Sequence, residues 1–190
     1  MLFSSTFLTL DGVMSDPHIW HPAYSSDESL ALLAEQMDEA DAMLIGRTTY
    51  EELSSWWPDK DDSVPLAART NAMTKYVVTG TLTSVDWTGS SVVDGDDLPG
   101  VVERLNATHD RVAVNGSARL VRALLAAGLL DEVRIYLDPL VLGTGLRLFD
   151  GTVPTTGLEL VDQRSLPRGM QFLVYRTTEA PDFAAVAVGA

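Results

Sequence analysis

The residues able to do chemistry gather where apolar runs break on a glycine. Met43, Leu44 and Ile45 form a run with no polar break, as in a strand buried on both faces. Gly46 lets the backbone turn. Arg47, Thr48 and Thr49 follow, before Tyr50, Glu51, Glu52 and Leu53 read as a first helical turn. A cation, two hydroxyls and free backbone N–H groups thus collect where a strand meets a helix, which suits an anion. The segment 111–120, RVAVNGSARL, repeats the pattern, with Gly116 turning an apolar strand into a helix opened by Ser117 and Ala118. A third run, 77–81, VVTGT, ends a strand on Thr79 and Thr81. Two strand–turn–helix sites in one sheet suit a ligand with more than one phosphate, and a dinucleotide is the natural candidate. The G-x-G-x-x-G fingerprint follows no early strand, and Gly143-Thr144-Gly145 matches only part of it.

Other side chains also have structural readings. Asp27 reads as a partner of the dipole at the start of the first long helix, and Asp11, after the first strand, reads as a turn residue. Trp20, Tyr50, Trp56 and Trp57 either wall a pocket or pack as core or dimer contacts. His18 and His21 have the spacing of a metal pair, but no third ligand cluster accompanies them, so no metal is expected. No G-x-S-x-G or Ser/His/Asp pattern is present.

The elements that position these residues follow from hydrophobic periodicity. Strands are expected at 2–10, 42–45, 75–79, 91–93, 112–114 and 132–137, and a C-terminal hairpin at 158–165 and 170–177. Helices are expected after a capping box of Ser25 and Glu28, with Leu30, Leu33, Ala34 and Met37 on the packed face; from Gly46 to about residue 55; at 66–73; from Asp97 to 105; and at 118–127, with Leu120, Val121, Leu124 and Leu125 inward. Residues 13–24 read as an ordered loop and 179–190 as a loosely held tail. Strands alternate with helices as far as Leu137, and strands alone follow. That order implies a mostly parallel sheet with helices on both faces and an antiparallel edge.

Composition narrows the partners. With 190 residues and 46% hydrophobic content, the chain reads as one domain, or one domain with additions, with a proper core. A formal net charge of −14 makes it a poor general binder of nucleic acid, so any anion site must be local. No apolar run is long enough for a membrane span. The N-terminus lacks a leader pattern, and cysteine is absent, which removes disulfides and thiol catalysis; a cytoplasmic location is the expectation.

Several motifs occur in one order: Leu10-Asp11-Gly12, Gly46-Arg47-Thr48-Thr49-Tyr50-Glu51, Thr79-Gly80-Thr81-Leu82, Val114-Asn115-Gly116-Ser117, Leu129-Leu130-Asp131-Glu132 and Pro139-Leu140-Val141-Leu142-Gly143-Thr144-Gly145. Over roughly residues 2–176 the chain resembles the dihydrofolate reductase superfamily, nearest the branch of the riboflavin-biosynthesis reductase domain. The resemblance implies an α/β, three-layer dihydrofolate-reductase-like fold over 1–178, followed by the tail. It implies an NADPH site, with Gly46 and Arg47 toward the phosphate-bearing adenosine half and Thr48 and Thr49 near the pyrophosphate. Thr79 and Thr81 would line the adenosine side, and Gly116, Ser117 and Ala118 would turn backbone N–H groups to the pyrophosphate. It further implies a pterin or ribosylated aminopyrimidine substrate, an acid near Asp27, for which Asp11 is the other candidate, and a homodimer using the strands after Asp131. Asn115 departs from the relatives, many of which have adjacent glycines where this chain has Asn115-Gly116. The expected activity is NADPH-dependent reduction of a small nitrogen heterocycle; the alternative is a non-catalytic dinucleotide-binding or assembly module of the same fold.

Overall fold

The apolar runs of the sequence become the middle of one eight-stranded sheet. The computed structural model describes the backbone of residues 1–186 and side chains as far as residue 184. Its strands are β1 (Leu2–Thr9), β2 (Ala42–Gly46), β3 (Thr74–Thr79), β4 (Ser90–Asp94), β5 (Val112–Val114), β6 (Glu132–Asp138), β7 (Gly157–Ser165) and β8 (Gln171–Thr178). They lie in the order β4-β3-β2-β5-β1-β6-β8-β7. Every pair from β4 through to β6 is parallel, and β6-β8-β7 is antiparallel. The fold is therefore dihydrofolate-reductase-like, with the C-terminal hairpin at one edge. β2 and β5 are buried at every position, as continuous apolar strands in the centre of a covered sheet should be.

The helices are α1 (Pro17–Trp20), α2 (Asp27–Asp38), α3 (Arg47–Ser54), α4 (Ala67–Ala72), α5 (Leu98–Thr108), α6 (Ala118–Ala126) and α7 (Phe183–Val186). On one face of the sheet, Leu120, Val121, Leu124 and Leu125 of α6 and Val101, Val102 and Leu105 of α5 pack on Leu2, Leu8, Leu44, Val114 and Val133. On the other face, Phe3, Met43, Ile45 and Val77 carry a second core with Tyr50 and Trp87. A third core joins Leu32 of α2 to Tyr136, Phe172 and Val174 beneath the C-terminal strands.

Three expectations change. Residues 13–24 are not simply loop: α1 forms there, and a 3₁₀ turn, His21–Ala23, follows it. The cap of α2 lies one residue later than expected, on Ser26, whose hydroxyl accepts from the Ser29 N–H while the Ser29 hydroxyl accepts from the Ser26 N–H. The buried face of α2 is Ser29, Leu32 and Gln36, and Leu30 is exposed. Gln36 is tolerated inside because its amide oxygen accepts from Arg134, whose guanidinium also meets Glu39 and Glu132 and lies over the Phe3 ring. Leu33 and Met37 are half-buried, packing against the neighbouring cores and lining a cleft. Of the expected tail, residues 183–186 form a helical turn, and the remainder lies outside the described residues.

Candidate active site

The two glycine turns meet. At the end of β2, the Gly46 N–H donates to the Gly116 carbonyl at 3.0 Å. The approach leaves no room for a side chain. A Cβ on Gly46 would lie 2.7 Å from Ser117 Oγ, and one on Gly116, whose φ is +119°, would lie 2.9 Å from Thr49 Oγ1. The Gly116–Ser117 peptide is cis. Adjacent strands β2 and β5 thus deliver the starts of α3 and α6 to one spot. Neither helix has a side-chain cap, at Gly46 for α3 or at Ser117 for α6. Helix N-termini carry partial positive charge and N–H groups without intrahelical partners. Two of them side by side with the Thr48, Thr49 and Ser117 hydroxyls fit the diphosphate of a dinucleotide.

Beside this junction opens a cleft of about 460 Å³. Thr48, Thr49, Ser117 and Ala118 line its phosphate-suited end. Ser5, Thr6 and Phe7 of β1, Leu33 and Met37 of α2, Met43 of β2, Trp57 and Asn115 line the rest, with Met14, Ser15, Asp16 and Pro17 along one side. The walls are mostly apolar with a few polar atoms, as in a site for a flat organic molecule. The Thr6 hydroxyl and the Asn115 amide oxygen are both buried and have no hydrogen-bond partner among the described residues. The acids on the lining, Asp16 and Glu52, are both exposed.

Other expected site residues lie away from the cleft wall. Arg47 opens α3 half exposed and pairs with Glu51 at 3.0 Å, one turn on. Thr79 ends β3 as a turn former: its Oγ1 accepts from the N–H groups of Thr81 and Leu82, each at 3.1 Å. Asp27 sits exposed in the first turn of α2 beside Glu28. It does not line the cleft, and its position suits the helix dipole rather than proton delivery.

The aromatic expectations need correction. Trp20 is buried, and its indole N–H donates to the Ser15 carbonyl at 2.9 Å, which holds the loop over the cleft without the ring reaching it. Tyr50 is buried, and its hydroxyl accepts from the Asp86 and Trp87 N–H groups. Trp56 is exposed, stacked edge-on against Trp57, with Lys60 over its face. Of the four aromatics considered, Trp57 alone is on the wall.

Asp11 is also a structural residue. Its carboxylate accepts from the Thr9 hydroxyl at 2.7 Å, from the Leu142 and Gly143 N–H groups at 3.2 and 3.0 Å, and from Arg147 at 3.1 Å. The Thr9 hydroxyl above all, with the two backbone N–H groups, holds the acid down to about 2 against the opposing effect of desolvation. These contacts favour its charged form, which suits a structural anchor. It pins the 140–147 segment to the turn after β1. Met14 then donates from its N–H to the Leu146 carbonyl at 2.8 Å, and Val13 packs where a Cβ on Gly145 would stand 2.6 Å away. The staple therefore fixes the Met14–Pro17 side of the cleft.

Sequence reasoning missed Thr6, Met14, Ser15 and Asp16 on the lining and read Leu33 and Met37 as packing residues; they do pack against the cores, and they line the cleft as well. The departure at Asn115 was the one available signal for the inner wall. Among the described residues no group of His, Cys, Asp and Glu could hold a metal ion, and no helix is long and apolar enough to cross a membrane.

Known proteins agree with this architecture. The model of the RibD C-terminal domain matches residues 1–172. Uncharacterized protein YyaP of Bacillus subtilis (strain 168) is 26% identical over 143 residues, 73% of this chain and 75% of that protein. A putative riboflavin biosynthesis protein from Shewanella sp. PV-4 superposes with a TM-score of 0.74 at 19% identity, covering 94% of this chain and 99% of that one. Dihydrofolate reductase from Enterococcus faecalis, solved with NADP(H) and RAB-propyl, gives a TM-score of 0.65 at 14% identity, covering 94% and 97%. At such identities the two structures speak for the fold, and the family match carries membership: the chain belongs to the RibD C-terminal domain family.

Proposed function

We propose that the protein is an NADPH-dependent reductase of a small nitrogen heterocycle, of the pterin or ribosylated aminopyrimidine type. The observation that carries this reading is the Gly46–Gly116 contact, which sets two uncapped helix N-termini at the mouth of an apolar cleft. Thr48, Thr49, Ser117 and Ala118 hold the diphosphate, and Arg47, beyond the rim, meets the extra phosphate that distinguishes NADPH from NADH. Thr79 and Thr81 lie at the adjoining strand tip, toward the adenosine side. When bound, the reduced nicotinamide supplies a hydride. The chain's own residues hold the ring flat between Leu33, Met37 and Met43, exclude water from that stretch, and orient it through Asn115 and Thr6. No buried carboxylate is among the described lining residues, so the proton reaches the substrate from ordered water at the Ser5 or Thr6 hydroxyl. The same reading includes a homodimer through the C-terminal strands, where β7 leaves Leu158, Leu160 and Val161 exposed.

That lack of a buried acid favours a second reading, a dinucleotide-binding module without turnover. Incubation with NADPH and a panel of pterins and aminopyrimidines, followed at the nicotinamide absorbance band, separates the two. Oxidation of NADPH with one panel member supports the reductase. Saturable binding without oxidation across the panel supports the module.

A further inference from the structure

We propose that Asp138 is a positioning residue for the reacting end of the dinucleotide, acting through His21 on the wall formed by Phe7 and the Met14–Pro17 stretch. The inference rests on the reductase reading of the cleft and deepens it. Asp138 closes β6 and is fully buried. Its Oδ2 accepts from His21 Nδ1 at 2.9 Å, and its Oδ1 is buried with no hydrogen-bond partner among the described residues. A carboxylate taken out of water depends on the partner it has, so the imidazole is held to one place. The His21 ring lies 4.0 Å from the Phe7 ring, centroid to centroid, tilted by 36°. Phe7 lines the cleft, whereas His21 and Asp138 do not. The carboxylate therefore bears on the wall at one remove.

The order of the strands says which end of the ligand this wall meets. β3, β2, β5, β1 and β6 are parallel neighbours, so their carboxyl tips share one end of the sheet. The diphosphate grip is at the tips of β2 and β5, and Thr79, on the adenosine side of the reading, ends β3. β1 and β6 lie on the other side of that grip. A dinucleotide held at its diphosphate, with its adenosine toward β3, extends its nicotinamide over β1 toward β6. Phe7 and the Met14–Pro17 stretch flank that half. The stretch is tied at both ends. Met14 and Ser15 bond to Leu146, and on the far side α1 runs straight into His21, with the Trp20 indole bonded back to Ser15. The other charged groups nearby do not duplicate the clasp. Arg168, in the β7–β8 turn, is exposed and donates to the Ala23 carbonyl at 2.9 Å, and Asp27 and Glu28 of α2 are exposed. Without Asp138, the Phe7 ring and the far end of the stretch lose a shared support.

The test compares NADPH with 2′-phospho-ADP-ribose, which has the adenosine half and the diphosphate but no nicotinamide, by calorimetric titration of the full chain. His21→Leu combined with Asp138→Leu removes the clasp and leaves no buried charge behind, an exchange that buried ion pairs often tolerate. This double variant should bind NADPH about tenfold more weakly and 2′-phospho-ADP-ribose as wild type does. Asp138→Leu alone serves if the double variant does not fold. Asp138→Asn, which keeps an acceptor opposite Nδ1, should recover most of the NADPH affinity. Wild-type NADPH affinity in the leucine variant, an equal loss of both ligands, or an Asp138→Asn variant as weak as the leucine one overturns the inference and leaves the cofactor site standing. Failure of wild type to bind NADPH at all would instead bring down the reading beneath it.

Discussion

Gly46 and Gly116, seventy residues apart in sequence, share a 3.0 Å hydrogen bond from the N–H of the first to the carbonyl of the second. Because β2 and β5 are neighbours, this one contact sets the distance between the two helix N-termini that would hold a diphosphate. A side chain at Gly46 is excluded by Ser117 rather than by backbone conformation, since its φ of −76° is open to any residue. Gly46→Ala should then destabilise the fold by about 1–3 kcal/mol through overpacking and weaken NADPH at least about tenfold by forcing the helix ends apart. Urea melts and fluorescence titration measure the two effects. Full NADPH affinity in Gly46→Ala would show that the junction does not shape the site.

Arg47 is half exposed and shares its charge with Glu51. Removing it should spare the fold, since an exposed pair contributes only about 0–1 kcal/mol. Arg47→Ala should cost NADPH about tenfold in affinity and NADH almost nothing, because only NADPH has the additional phosphate. Parallel titrations of both dinucleotides decide it, and equal losses would remove Arg47 from the phosphate.

Asp11 should behave as a staple and not as an acid. Its folded pKa of about 2 lies below the ordinary 3.8, so its stabilising effect is complete above that ordinary value and is lost as pH falls through about 2. Asp11→Asn should remove this acid-dependent component, seen as a flatter loss of stability between those pH values. It should also speed hydrogen exchange at Leu142 and Gly143, whose N–H groups it accepts. An unchanged pH profile with abolished turnover would return the residue to catalysis.

Lys75 is fully buried, its ammonium donating to the carbonyls of Asn71, Met73 and Thr88 and lying 4.2 Å from the centre of the Trp87 ring. Burial pulls its pKa from 10.5 down to about 8. Between those values the unfolded chain binds more protons, so this group makes stability rise with pH. The buried Tyr136 hydroxyl, whose pKa is pushed up by desolvation, acts oppositely above its ordinary value of 10. The stability of wild type minus that of Lys75→Met should increase from pH 8 to 10.5, with the Tyr136 effect cancelling. A flat difference over that range would contradict the assignment.

Most of the fold was legible because the central strands are uninterrupted apolar runs and α6 shows a clean buried stripe. The strand–glycine–helix junctions were legible because a glycine and a helix start leave a local signature. The inner wall was not. Leu33 and Met37 read as core by periodicity, and they do pack against it, but their half-buried places also line the cleft, which periodicity does not show. Trp20 and Tyr50 have the chemistry of wall residues, but Trp20 is tied back to Ser15 five residues before it, and Tyr50 to the distant N–H groups of Asp86 and Trp87. Asp11 was a candidate by type and place, and Asp27 by the resemblance. Their surroundings depend on distant or global features: Asp11 is held by the segment near residue 142, and Asp27 lies exposed at the start of α2.

The central claim is that the junction of β2 and β5 grips a nicotinamide dinucleotide. Titration of NADPH into the protein, followed by heat and by quenching of Trp57 on the cleft wall, tests it directly. Saturable binding with one site per chain, tighter for NADPH than for NADH and weakened by Gly46→Ala, is the expected result. No heat, no quenching and no thermal shift with either dinucleotide would contradict it.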